Sequence, residues 1–169
     1  MPVQRLNHAV LYVRDAERSS AFYRDVLGFR AKMEMPGAVF LQAEGSTNDH
    51  DLGLFQIGAA AGASTAGRST VGLYHLAWEV DTLAELARIR DALRDAGALV
   101  GASDHATTKA LYAQDPDGIE FEVSWLLPAD LITPEVQAQG ATTRPLDLDG
   151  EIECYGADTR GGVGVSVPV

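Results

Sequence analysis

LNHAVLYV (6–13) and LYHLAWEV (73–80) decide the fold. Each places a histidine three residues in, among the alternating apolar positions of a half-buried strand. Two such matches predict an internal repeat. An amphipathic helix follows each strand. The first covers Ala16–Leu27, with Phe22, Tyr23, Val26 and Leu27 as its apolar stripe and Gly28 as its stop; the second covers Thr82–Ala96, with Leu83, Leu86, Ile89 and Leu93 at helical spacing and Gly97 just beyond. Short strand candidates come next: Arg30–Met35, Ala38–Ala43 and Asp51–Ile57 in the first half, Leu99–Ser103, Lys109–Gln114 and Ile119–Leu126 in the second. The order β-α-β-β-β occurs twice. It predicts an α+β fold of two βαβββ modules, residues 1–57 and 70–127, enclosing a central cleft within one structural domain. The Gly-, Ala-, Ser- and Thr-rich stretch 58–69 reads as a linker. Residues 128–169 read as a C-terminal extension, surface-hugging or partly mobile, with a short helix near Pro134–Gln139 and a glycine-rich end at Gly161, Gly162 and Gly164.

Composition narrows the classes of partner. The chain has 169 residues, 46% hydrophobic and 22% charged, with a net charge of -11. Its pI near 4.6 repels nucleic acid and anionic membrane surfaces, so neither is an expected partner. The single cysteine, Cys154, allows no internal disulfide, which suits a reducing compartment. With no basic-then-apolar leader and no apolar run of membrane length, the expected location is the cytoplasm.

The chemistry gathers around the four histidines. His8 and His75 occupy the paired strands. His50 opens the strand HDLGLFQI, and His105 opens HATTKALYAQDPDGIEFEVSW, which also supplies Tyr112 and Glu122. DPDG (115–118) suits a type I turn followed by glycine at positive φ, the three-residue hairpin loop. With Asp115 paired to Ile119, Tyr112 falls opposite Glu122 and both point to one face. Two imidazoles and one carboxylate make the donor set that holds non-haem Fe(II) with positions left open. Aligning HDLGLFQ (50–56) with GIEFEVS (118–124) puts Leu54 in the slot of Glu122, where an aliphatic side chain cannot add a fourth ligand. Strand periodicity puts His50 on the same face as Leu54. Asp15 and Asp81 look like helix starts.

These residues, over about the first 127, resemble the vicinal oxygen chelate superfamily of glyoxalases, bleomycin-resistance proteins and extradiol dioxygenases. The segment His105–Glu122 is similar to the extradiol fingerprint, in its single-domain, catechol 2,3-dioxygenase-like form. The resemblance implies Fe(II), with Mn(II) as an alternative, on His8, His75 and Glu122. It implies an acid–base role for His50 and substrate-oxygen hydrogen bonds from His105 and Tyr112. The implied activity is extradiol ring cleavage of a catechol-type aromatic diol with O₂, in a homodimer of aromatic catabolism. Two other readings stay open: a glyoxalase-like metal-dependent isomerase or lyase, and a metal-free binding or resistance protein.

Overall fold

A computed structural model describes residues 2–3, 5–66 and 69–162. Gly67 and Arg68 of the expected linker, and Gly164 of the glycine-rich end, lie outside them. The chain divides into two compact units, Met1–Thr65 with Asp115–Ile119, and Ala66–Gln114 with Glu120–Val169.

Unit 1 runs β1 (Ala9–Val13), α1 (Ala16–Leu27), β2 (Arg30–Met35), β3 (Ala38–Gln42) and β4 (Leu52–Gln56). The sheet order is β1-β4-β3-β2, with β1 parallel to β4 and the other pairs antiparallel. Alternation sorts the side chains onto two faces. Leu11, Val13, Val39, Leu41, Leu52 and Leu54 point into the core with Tyr23 and Val26 of α1. Val10, Tyr12 and Phe55 on the other face stay exposed. Asp15 caps α1 by accepting from the Arg18 N–H, and Gly28, at φ 75, closes it in the left-handed conformation that glycine adopts without strain.

Unit 2 repeats the plan with β5 (Leu76–Glu79), α2 (Leu83–Asp95), β6 (Leu99–Asp104), β7 (Thr108–Gln114) and β8 (Glu120–Leu126). All four expected α2 positions, Leu83, Leu86, Ile89 and Leu93, are buried. Thr82, one residue after Asp81, caps this helix by accepting from the Glu85 N–H. A capping side chain must sit at the residue whose backbone is still extended, and Thr82 is that residue. The sheet order is β5-β8-β7-β6-β9, where β9 (Arg144–Pro145) comes from the C-terminal extension. That extension also supplies a 3₁₀ turn at Ala129–Leu131, α3 (Pro134–Ala138) and α4 (Leu148–Tyr155). It is built into the unit: Lys109 pairs with Glu151 of α4 at 3.0 Å, and the Trp125 indole N–H donates to the Thr159 carbonyl. No helix among the described residues is long and apolar enough to cross a membrane.

Candidate metal centre

The repeat places its two histidines alike. His8 is the residue immediately before β1, and His75 the residue immediately before β5. Both strands are thus shorter than the sequence pattern suggests, and each histidine stands at the strand mouth rather than inside the ladder.

The turn between β7 and β8 sets the register of the site. The Gly118 N–H donates to the Asp115 carbonyl, the Asp115 N–H donates to the Ile119 carbonyl, and Gly118 has φ 82. This is the expected three-residue hairpin loop, and it brings Tyr112 opposite Glu122. Phe121 and Val123 face the core, so Glu122 faces away from it, its side chain 12% exposed. His75 Nε2 stands 3.2 Å from Glu122 Oε2. Two donors each about 2.1 Å from one ion are about 3.0 Å apart at right angles and about 3.4 Å apart at the tetrahedral angle. The observed separation fits a shared divalent cation. Among the described residues, His75 Nδ1 is buried without a hydrogen-bond partner, so nothing at that nitrogen turns Nε2 away from the carboxylate.

Tyr112 completes this cluster. Its ring lies 5.8 Å from that of His75, and its hydroxyl lies 3.0 Å from His105 Nε2. Burial first, and then the negative charge of Glu122, raise the phenol above its ordinary value. Tyr112 therefore keeps its proton at neutral pH and acts as a hydrogen-bonding hydroxyl.

Unit 1 holds His8 and His50, with ring centroids 4.5 Å apart. His50 packs edge-on against Phe40 at 5.0 Å, and its Nδ1 lies 3.0 Å from Asp49 Oδ2. The loop that delivers it is organised by Asp51, which accepts from the Ala43 N–H, the Ser46 hydroxyl and the Asn48 amide. The same Asn48 amide donates to the Asn7 carbonyl, tying the loop to the residue before His8.

The expected place of Leu54 is corrected by the strand register. His8 precedes Ala9, which pairs with Leu52; His75 precedes Leu76, which pairs with Phe121. One residue further along, Gly53 takes the slot that Glu122 fills. Leu54 points into the core at 0% exposure, whereas a side chain at Gly53 would meet Val10 and Phe40 on the open face. His50, packed on Phe40, shares that open face and not the face of Leu54. Direct alignment of the two halves misses the offset because the connection into β4 differs in length from the hairpin into β8. The slot still offers no ligand, since glycine has no side chain.

Among the described residues, no three His, Cys, Asp or Glu side chains gather closely enough to hold a metal. Sequence reasoning passed over the carboxylates that hold the loops, Asp51, Asp104 and Asp115. Only Asp115 had a readable signal, as the first residue of a DPDG turn, where a side-chain oxygen accepts from backbone N–H groups two residues on.

Residues 5–123 match the sequence model of the glyoxalase/bleomycin resistance protein/dioxygenase superfamily, and the chain belongs to that family. Among curated proteins it is 30% identical over 156 residues to a catechol-2,3-dioxygenase of Bacillus subtilis (strain 168), covering 92% of this chain and 53% of that protein. It is 32% identical over 134 residues to biphenyl-2,3-diol 1,2-dioxygenase 3 of Rhodococcus globerulus, covering 78% of this chain and 66% of that protein. The chain thus spans just over half to two thirds of these relatives' lengths. Among solved structures, a lactoylglutathione lyase from Agrobacterium tumefaciens shares the fold at TM-score 0.54 and 24% identity, over 73% of this chain and 95% of that one.

Proposed function

We propose that this protein is a non-haem Fe(II) extradiol dioxygenase that opens the ring of a catechol-type diol, with His8, His75 and Glu122 as the metal's protein ligands. The observation that carries the reading is the His75–Glu122 pair at 3.2 Å with Tyr112 opposite the carboxylate. Gly53 in the repeat-related slot supports it, because an absent fourth side chain leaves coordination positions open to a chelating substrate and O₂. The two curated relatives bear dioxygenase names and point the same way. When bound, Fe(II) would supply Lewis acidity toward vicinal hydroxyls and a path for electrons from the diol to O₂.

The chain's own residues do the rest. His50 accepts a proton from one substrate hydroxyl and returns one to the leaving oxygen, as a positioned general base and then acid. Phe40, edge-on to His50, limits the swing of that imidazole. Tyr112 and His105 hold the substrate oxygens by hydrogen bonds. Burial, and after it the charge of Glu122, raise the Tyr112 phenol and keep its hydroxyl protonated.

The test is anaerobic loading with Fe(II), then a panel of catechols and air. The reading expects a yellow ring-opened semialdehyde acid from at least one catechol. Iron-loaded protein that cleaves none of them contradicts it.

A further inference from the structure

We propose that the C-terminal extension is a working part of the site: the Thr142 carbonyl fixes the tautomer of His105 and so decides where the Tyr112 hydroxyl proton points. The proposal rests on the reading of His105 and Tyr112 as partners of the substrate oxygens.

The contacts form one line. His105 Nδ1 lies 2.9 Å from the Thr142 carbonyl oxygen, and His105 Nε2 lies 3.0 Å from the Tyr112 hydroxyl. A carbonyl oxygen only accepts, so Nδ1 must carry the ring proton and donate it. In the neutral ring Nε2 is then a lone pair, and Tyr112 donates to it. The Tyr112 hydroxyl has one proton and faces both His105 and Glu122. With the Nδ1–H form in place, that proton goes to His105, and the Glu122 carboxylate keeps its lone pairs. In the opposite tautomer, Nε2–H would donate to the Tyr112 oxygen and send the phenol proton toward Glu122. The Thr143 hydroxyl, 3.3 Å from His105 Nδ1, could serve that opposite form as a donor. The shorter contact to the Thr142 carbonyl selects the first.

The extension is held so that the carbonyl stays put. Arg144 pairs with Asp104 across β9 and β6, and its guanidinium lies 3.4 Å from the Asp104 carboxylate. Arg144 also donates to the Gln139 side chain, bracketing the segment that contains Thr142. Asp104 in turn takes the Lys109 ammonium at 2.7 Å and the Ala106 N–H at 2.8 Å. Ala106 follows His105 and has φ 65, a backbone conformation that a residue with a Cβ adopts only at a cost. Such a residue persists where its surroundings over-determine it. Here Asp104 does so, and the loop aims His105 at both Thr142 and Tyr112. The extension and the His105 loop therefore share one anchor.

The tautomer is read directly by long-range ¹H–¹⁵N correlation on metal-free full-length chain with ¹⁵N-histidine, the His105 signals being those lost in His105→Phe. The expected pattern is Nδ1–H. Arg144→Ala removes one bracket from a half-exposed side chain, and Gly140→Val strains the φ 58 glycine two residues before Thr142. Each should move His105 toward Nε2–H or an exchanging mixture while the other three histidines keep their patterns. In the iron-loaded enzyme, Arg144→Ala should lose about tenfold in kcat/KM. An Nε2–H pattern in the parent overturns the proposal, and so does an unchanged pattern in both variants. If Gly140→Val does not fold, Arg144→Ala and the parent spectrum decide. Unchanged kcat/KM in a variant whose tautomer has shifted also overturns it, because the relay would then not serve the site. The spectra need neither iron nor diol, so failure of ring cleavage leaves them standing, and a wrong tautomer leaves ring cleavage standing.

Discussion

Asp115 is buried at 5% exposure, and each of its oxygens has a task. Oδ1 accepts from the Asp117 and Ile119 N–H groups, and Oδ2 accepts from the Tyr23 hydroxyl. Burial pushes its carboxyl above the ordinary range, and the two backbone N–H groups oppose that push without cancelling it. The same contact, after burial, helps hold the Tyr23 phenol well above its usual value. Replacing Asp115 with alanine strands two backbone donors and removes the acceptor that the Tyr23 hydroxyl uses here, at a cost of about 1–3 kcal/mol for the first unsatisfied group. Asparagine keeps an acceptor for the backbone and should cost less. Denaturant melts of the two variants check this ordering; equal stabilities would show that the turn does not depend on this side chain.

At the level of elements, the fold was readable where its determinants are local. Helix α2 announces itself through Leu83, Leu86, Ile89 and Leu93. The β7–β8 hairpin follows from four residues of turn chemistry, and with it the facing of Tyr112 and Glu122. The β1–β4 register is not local. It is set where Ala9 donates to the Asp51 carbonyl, across more than forty residues, so the Gly53 slot was misread as Leu54. The extension was read only in part. Its α3 was read near Pro134–Gln139, whereas β9 is two residues long and gains its place from Arg144–Asp104. Helix α4 had a signal that went unused, an Asp147 cap and Gly156 just past its end. The ion cluster joining these pieces gives a prediction for acid. Burial raises the Asp104 carboxyl, but the Lys109 bond and charge, the Ala106 N–H and Arg144 outweigh it, and the net shift is downward. A carboxyl lowered on folding stabilises the folded chain above its unfolded value, about 3.9 for aspartate, and that contribution fades as pH falls through the folded value. Asp104→Asn should therefore be less stable than the parent at pH 7, and the gap should close below about pH 4. A gap that is constant with pH would mean that the charge of Asp104 is not what anchors β9.

For the whole molecule, family membership and the two repeated modules are established, and the proposed activity depends on three donors from distant points in the chain acting on one ion. His50 is the discriminating control, since it is assigned to proton transfer and not to ligation. Its replacement by glutamine should leave iron bound and slow turnover by about 10²–10⁴-fold. Iron stoichiometry, by elemental analysis after anaerobic loading and desalting, reads this ligand set without any substrate. One iron per chain is expected in the parent and in His50→Gln, with loss of that iron in each of His8→Ala, His75→Ala and Glu122→Ala. Full iron retention in any one of those three, or its loss in His50→Gln, would contradict the assignment.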